Sequence, residues 1–121
     1  MNPENIKSIS EVLAALIAER DEYTYVDKLG YAPSRDLAIY YLREALRDLH
    51  SLIRSGSIKK KGVKELLKRI SFDRVERGLR EISEIRDRKE LREVTSLISS
   101  NALSLSASLI RESQEKEKGE E

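Results

Sequence analysis

The sequence predicts an all-α fold, a compact bundle of about five helices with a frayed C-terminal tail. Three observations carry that expectation. Apolar residues recur at three- and four-residue spacing through most of the chain, and cap-forming residues stand in front of these segments. No segment has a convincing strand partner, and a lone strand would leave its backbone groups unsatisfied. A chain of 121 residues fits one helical domain with a core of its own, expected here over residues 1–112, with a disordered acidic tail over 113–121.

Each helix has a local reason. Asn2, Pro3 and Glu4 supply an N-cap, a proline suited to the first turn and an early acid, ahead of an apolar stripe of Ile6, Ile9, Leu13, Leu16 and Ile17. The periodicity then fails, and Gly30 and Pro33 break a tyrosine-rich stretch read as an ordered connector, with one possible helical turn at 25–29. Ser34 caps a second helix whose stripe is Leu37, Tyr41, Ala45, Leu49 and Ile53. Ala38, Leu42, Leu46 and Leu52 widen that stripe, which predicts a central helix packed on more than one side. Gly56 ends it with the freedom to turn left-handed.

Val63, Leu66, Leu67 and Ile70 make a short third helix, and Ser71 caps a fourth with Phe72, Val75, Leu79, Ile82 and Arg86 on one face. Asp87 opens the fifth. In it Leu91, Val94, Ile98, Ala102, Leu105 and Leu109 share a helical face, although Leu103, Leu105, Ala107 and Leu109 alternate with serines as a strand would; helix is the expectation.

Composition narrows the function. Without cysteine there is no disulfide, thiol chemistry or thiolate metal site, and no need of an oxidising compartment, so a cytoplasmic address is expected. The first twenty residues mix apolar and charged positions, unlike a signal peptide, and are expected to be mature sequence. Residues 94–110 carry no charge but only nine apolar side chains, too short and too polar for a membrane span, so no membrane partner is expected. With 37% charged residues, one glutamine and one methionine, the chain has the composition of a thermophilic protein.

Catalytic groups are thin. His50 is the only histidine, which leaves no metal-ligand set, and neither metal nor cofactor is expected. Glu44, Asp48, Glu76 and Glu81 sit among basic residues in helix-surface patterns, where ion pairing one turn apart is the plain reading. The segment 30–34 reads as a turn and cap with some capacity to hold an anion on free amides. A non-enzymatic role is therefore expected.

Charge gives the binding candidates. Residues 1–53 carry six Lys and Arg against nine Asp and Glu, residues 54–92 fourteen against seven, and residues 93–121 three against six. The middle third is basic between acidic flanks. Lys59, Lys60 and Lys61 enter the third helix, where Lys61, Lys64 and Lys68 fall within about a 60° arc at 3.6 residues per turn. Arg74, Arg77 and Arg80 make a row on the fourth helix, and Arg86, Arg88, Lys89 and Arg92 follow. Such rows supply the salt-sensitive, sequence-independent part of nucleic-acid affinity. The interleaved Glu65, Asp73, Glu76, Glu81, Glu84 and Glu90 make a solvated, self-paired surface the competing reading. Tyr23, Tyr25, Tyr31 and Tyr40, with Tyr41, are candidates for a partner interface, a core role or base stacking.

The segment YTYVDKLGYAPSRDLAIYYLREALRDLHSLI, residues 23–53, resembles the small subunit of the archaeal type I-A CRISPR effector complex, the archaeal Cascade. The likeness lies in the tyrosine-rich turn, the Gly-Tyr-Ala-Pro-Ser entry and the Leu-Arg-Glu-Ala-Leu-Arg-Asp-Leu helix. It implies a non-enzymatic antiviral-defence subunit that associates with the effector backbone subunits and contacts guide RNA or the target or displaced DNA strand. Type III small subunits are similar in size and composition. Some members carry a β region for which this sequence offers no candidate, and no functional residue carries over individually. An assembly or adaptor subunit without direct nucleic-acid contact is the alternative, and a second copy of the chain is a further candidate partner.

Overall fold

The computed structural model describes residues 1–119, with side chains to Gln114. Six helices follow one another: α1 (Pro3–Arg20), α2 (Thr24–Gly30), α3 (Arg35–Arg54), α4 (Lys61–Arg69), α5 (Phe72–Glu84) and α6 (Arg88–Gly119). The described residues contain no strand, so the serine-rich alternation near the C-terminus is one side of a helix. The sixth helix is α2, which lies inside the expected connector. Seven residues show too little periodicity to read, and no side chain caps its start. Burial of Val26 and Leu29 supplies a tertiary anchor. The helical backbone of α6 enters the stretch expected as an acidic tail; the tail side chains after Gln114 lie outside the described residues, and that expectation with them.

The expected caps form. Asn2 Oδ1 accepts the Glu4 N–H at 2.9 Å, Ser34 Oγ accepts that of Leu37 at 3.2 Å, and Ser71 Oγ accepts that of Arg74 at 3.3 Å. At the end of α3, Gly56 has φ +68°, Ser57 N–H bonds the Leu52 carbonyl and Gly56 N–H bonds that of Ile53. This is the Schellman pattern, which needs a residue tolerant of the left-handed region. Asp21 closes α1 with φ 53°, a conformation an aspartate accepts better than most residues.

The centre of the bundle is α1 and not α3. From Asn5 to Ala18 all but Lys7 are buried, and α1 packs against α3, α4, α5 and, most extensively, α6. Beside its large apolar stripe lie Ser8, Ser10, Ala14, Ala15 and Ala18, small residues over which neighbouring helices pass closely. The α3 stripe is also rotated from expectation. Its buried side is Ala38, Leu42, Ala45, Leu46, Leu49 and Leu52, while Leu37 and Ile53 are exposed. One covered side suits a peripheral helix.

α5 runs antiparallel along the N-terminal half of α1, with Gly78 against Ile9 and Asn5 and Glu81 against Asn5 and Asn2. A Cβ at position 78 would stand 2.5 Å from Ile9 Cδ1 and 3.3 Å from Asn5 Cβ, so the missing side chain permits the approach.

Candidate anion-binding surface

The connector 31–34 and the linker between α5 and α6 come together at one edge of the bundle. Two adjoining hollows form a furrow there. The larger, about 420 Å³, is lined by Tyr31, Pro33, Arg88, Leu91 and Arg92 among others. The second, about 340 Å³, shares Pro33, Arg88 and Leu91 and adds Ser34, Arg35, Arg86 and Asp87. Four arginines and a tyrosine thus share one concavity with a single acid. Tyr31 is 88% exposed, and Arg86, Arg88 and Arg92 are exposed.

Local chemistry positions these groups. Asp87 Oδ1 accepts the Lys89 N–H at 3.1 Å and so caps α6, which occupies the one nearby carboxylate. Ser34 caps α3 across the furrow. The positive ends of two helices therefore face the same space. Arg35 spans it, with Nη1 donating to the Ile85 carbonyl at 2.8 Å, a cation at the C-terminal end of α5. Arg43 and Glu76, 3.5 Å apart, make the one ion pair within 4 Å among the described residues, so the furrow arginines are not neutralised in this way.

The residues singled out in the sequence fall in several places. Lys61, Lys64 and Lys68 form an exposed row on α4, as their spacing predicts. Lys59 and Lys60 are engaged with the fold: Lys59 Nζ donates to the Gly56 carbonyl at 3.1 Å, and Lys60 Nζ donates to the Ala18 carbonyl at the end of α1. Glu19 accepts their backbone N–H groups at 2.7 and 3.2 Å. On α5, Arg77 and Arg80 border a separate hollow of about 300 Å³ that also holds Glu81 and Glu84, and Arg74 is half-buried. Self-pairing across a turn, expected of Glu81, does not describe it: Glu81 Oε2 accepts the Asn2 N–H at 3.0 Å, a cap delivered to α1 from α5.

The tyrosines do not make one platform. Tyr25 is half-buried and its hydroxyl donates to Asp48 Oδ2 at 3.2 Å, joining α2 to α3. Burial and the Asp48 carboxylate push its pKa up to about 12. Tyr23 and Tyr40 are exposed, the latter edge-on to Tyr41 with ring centres 5.9 Å apart. Lys28 Nζ lies 5.5 Å from the centre of the Tyr41 ring. His50 packs beside Phe72 at 4.9 Å, a contact between α3 and α5. Of the aromatic candidates, Tyr31 alone lines the furrow.

Two further features bear on function. Glu11 is a buried carboxylate, 6% exposed, beside a hollow at the edge of the seam between α1 and α6 that Asn101, Ser104 and Ser108 also line. The described residues hold no pair of buried carboxylates. No helix among them is long and apolar enough to cross a membrane.

A protein of Archaeoglobus fulgidus described as uncharacterized is 53% identical over 102 residues, an alignment covering 84% of this chain and 88% of the other. No family model matches the chain, and no solved structure matches it.

Proposed function

We propose, from the premise that the chain belongs to the family of the uncharacterized Archaeoglobus fulgidus protein, that it is a non-catalytic helical protein that holds a nucleic-acid strand by its phosphates. The observation that carries this reading is the furrow, where Arg35, Arg86, Arg88 and Arg92 meet two helix N-terminal ends beside the exposed ring of Tyr31. Arginine offers planar, bidentate donors to phosphate oxygens, and helix starts add free N–H groups and a favourable dipole. An exposed tyrosine adds a surface on which an unpaired base stacks. The Lys61, Lys64 and Lys68 row extends the electrostatic footprint without reading sequence.

In its most specific form the reading is the small subunit of an archaeal type I-A CRISPR effector, bound to backbone subunits and to guide RNA or a DNA strand. The support for that form is the resemblance of residues 23–53, which include Tyr31, Ser34 and Arg35 of the furrow. Sequence recognition then belongs to guide pairing, and this chain supplies charge and shape.

The test is binding of the full chain to single-stranded DNA and RNA oligonucleotides over a salt series. Affinity is expected to fall steeply with salt, and Arg88→Glu with Arg92→Glu is expected to weaken low-salt binding by roughly two orders of magnitude, more than Arg77→Glu does. Absent low-salt binding, or binding indifferent to the double reversal, would sink the proposal. A second reading, an adaptor without nucleic-acid contact, draws on the exposed Tyr23, Leu37 and Tyr40, which suit a protein partner. It predicts co-purification that survives high salt and is lost on Tyr40→Ser.

A further inference from the structure

The exposed side of α6 differs from the rest of the surface. In a chain that is 37% charged, residues 94–110 carry no charge at all. On the side turned to solvent lie Ser96, Ser100, Ser104 and Ala107 with Leu97 and Leu103, the leucines 47% and 42% exposed. An uncharged strip with two exposed leucines on a highly charged surface suits either a partner or bare solvent. The ends of this strip decide between them.

Glu93 and Arg111 bound it. They are 18 residues apart, five turns of helix, so they project along the same line about 27 Å from one another. That line is the middle of the exposed strip: both residues are exposed, and neither makes an ion pair within 4 Å among the described residues. Arg111 has one weak contact, Nη2 to Ser108 Oγ at 3.5 Å.

We infer that two copies of the chain pair through α6, antiparallel, about a two-fold axis level with residue 102. The geometry follows from symmetry. A two-fold perpendicular to a pair of antiparallel helices keeps each residue on its own side and reverses the order along the axis. Position 93 of one copy then meets position 111 of the other, and the same contact repeats at the far end. Glu93 faces Arg111 twice. A parallel pair would set Glu93 against Glu93 and Arg111 against Arg111. Ser100 and Ser104 come opposite each other near the axis, where small side chains let helices approach to about 8 Å, and Leu97 and Leu103 leave water at the margins. The occupant that this strip fits is therefore a second copy, because the chain itself presents the complementary charges in reverse order at the required spacing. A single helix pair of this length buries less than the roughly 1,600 Å² of a standard interface, so the dimer should dissociate on dilution.

Sedimentation velocity of the full chain, without nucleic acid, tests this over a wide concentration range, with circular dichroism to establish that each variant keeps its helicity. The wild type is expected to pass from monomer to dimer as concentration rises. Glu93→Arg alone and Arg111→Glu alone should each weaken association by roughly tenfold or more, because each sets like charges together twice. An equimolar mixture of the two single variants should form a one-to-one heterodimer, and the chain with both changes should recover the homodimer. A wild type that stays monomeric at the highest concentration overturns the inference. So do single reversals that associate like the wild type, and a mixture in which the two variants fail to pair.

Discussion

Glu11 is a carboxylate in the most buried stretch of the protein. Burial raises its pKa above the ordinary glutamate value, and Lys7 and Arg69 offset only part of the effect while Glu4 adds to it. The sign follows from proton counting. Between the unfolded pKa and the raised folded pKa the native state holds more proton than the unfolded one, so stability falls as pH rises through that window and stays lower above it. Glu11→Gln is therefore expected to raise Tm at neutral pH, with the gain vanishing below the ordinary glutamate pKa; thermal melts across pH check this. Tyr25 behaves alike at the alkaline end, since its pKa is raised to about 12. Stability should decline from about pH 10 to 12, less steeply in Tyr25→Phe, once ionisation costs the bond to Asp48. Gly78 tests packing. Alanine gains about 1 kcal/mol of helix propensity but loses about 1–3 kcal/mol to overpacking against Ile9 and Asn5, so Gly78→Ala should lower stability. In an Ile9→Val background, which removes the Cδ1 atom met at 2.5 Å, the loss should shrink, as a double-mutant cycle in denaturant would show.

At the scale of elements, the ends of α1 are finished by other helices. Glu81 reaches from α5 to the N–H of its N-cap residue Asn2 and the side-chain amide of Asn5, and Lys60 reaches its last turn from the entry to α4 while Glu19 reaches back. Glu81→Ala should cost about 1–2 kcal/mol, the usual loss of a cap with a charged acceptor, measurable by chemical denaturation. These contacts also explain what the sequence could not reveal. A local cap such as Asn2 to Glu4 is written two residues apart, whereas Glu81 acts across 79 positions and leaves no local signature. The periodic helices were legible because their large apolar residues repeat at the helical period. The centrality of α1 was not, because Ser8, Ser10, Ala14 and Ala15 read equally well as surface, and width of apolar face favoured α3 instead. In the furrow, Arg86, Arg88 and Arg92 were visible as a basic run and 30–34 as an anion-capable turn. Their meeting was not visible, nor was Arg35, since only tertiary packing brings positions 31–35 beside 85–92.

For the whole molecule, the arrangement separates the groups that hold the fold from the groups left free. Lys59 and Lys60 serve the chain itself, while Lys61, Lys64 and Lys68 stay exposed along the helix that follows. The furrow lies at the junctions of helices, so its arginines are carried by backbone that caps and the Arg35 bond already hold in place. Stability should be graded in the same way. Amides of α1, covered on all sides, are expected to exchange with solvent only through global unfolding, and those of the short α2 through smaller openings. Hydrogen exchange resolved by residue measures that order.

The position of α1 also has a consequence for how the protein is made. Among the described helices, α1, which needs cover on nearly its whole circumference, is synthesised well before its largest covering partner, α6. Until α6 is made the nascent chain therefore carries an incompletely covered apolar rod, and completion of the core waits for that helix. Truncated chains that stop before α6 should be chaperone clients or aggregate, however well their remaining helices form.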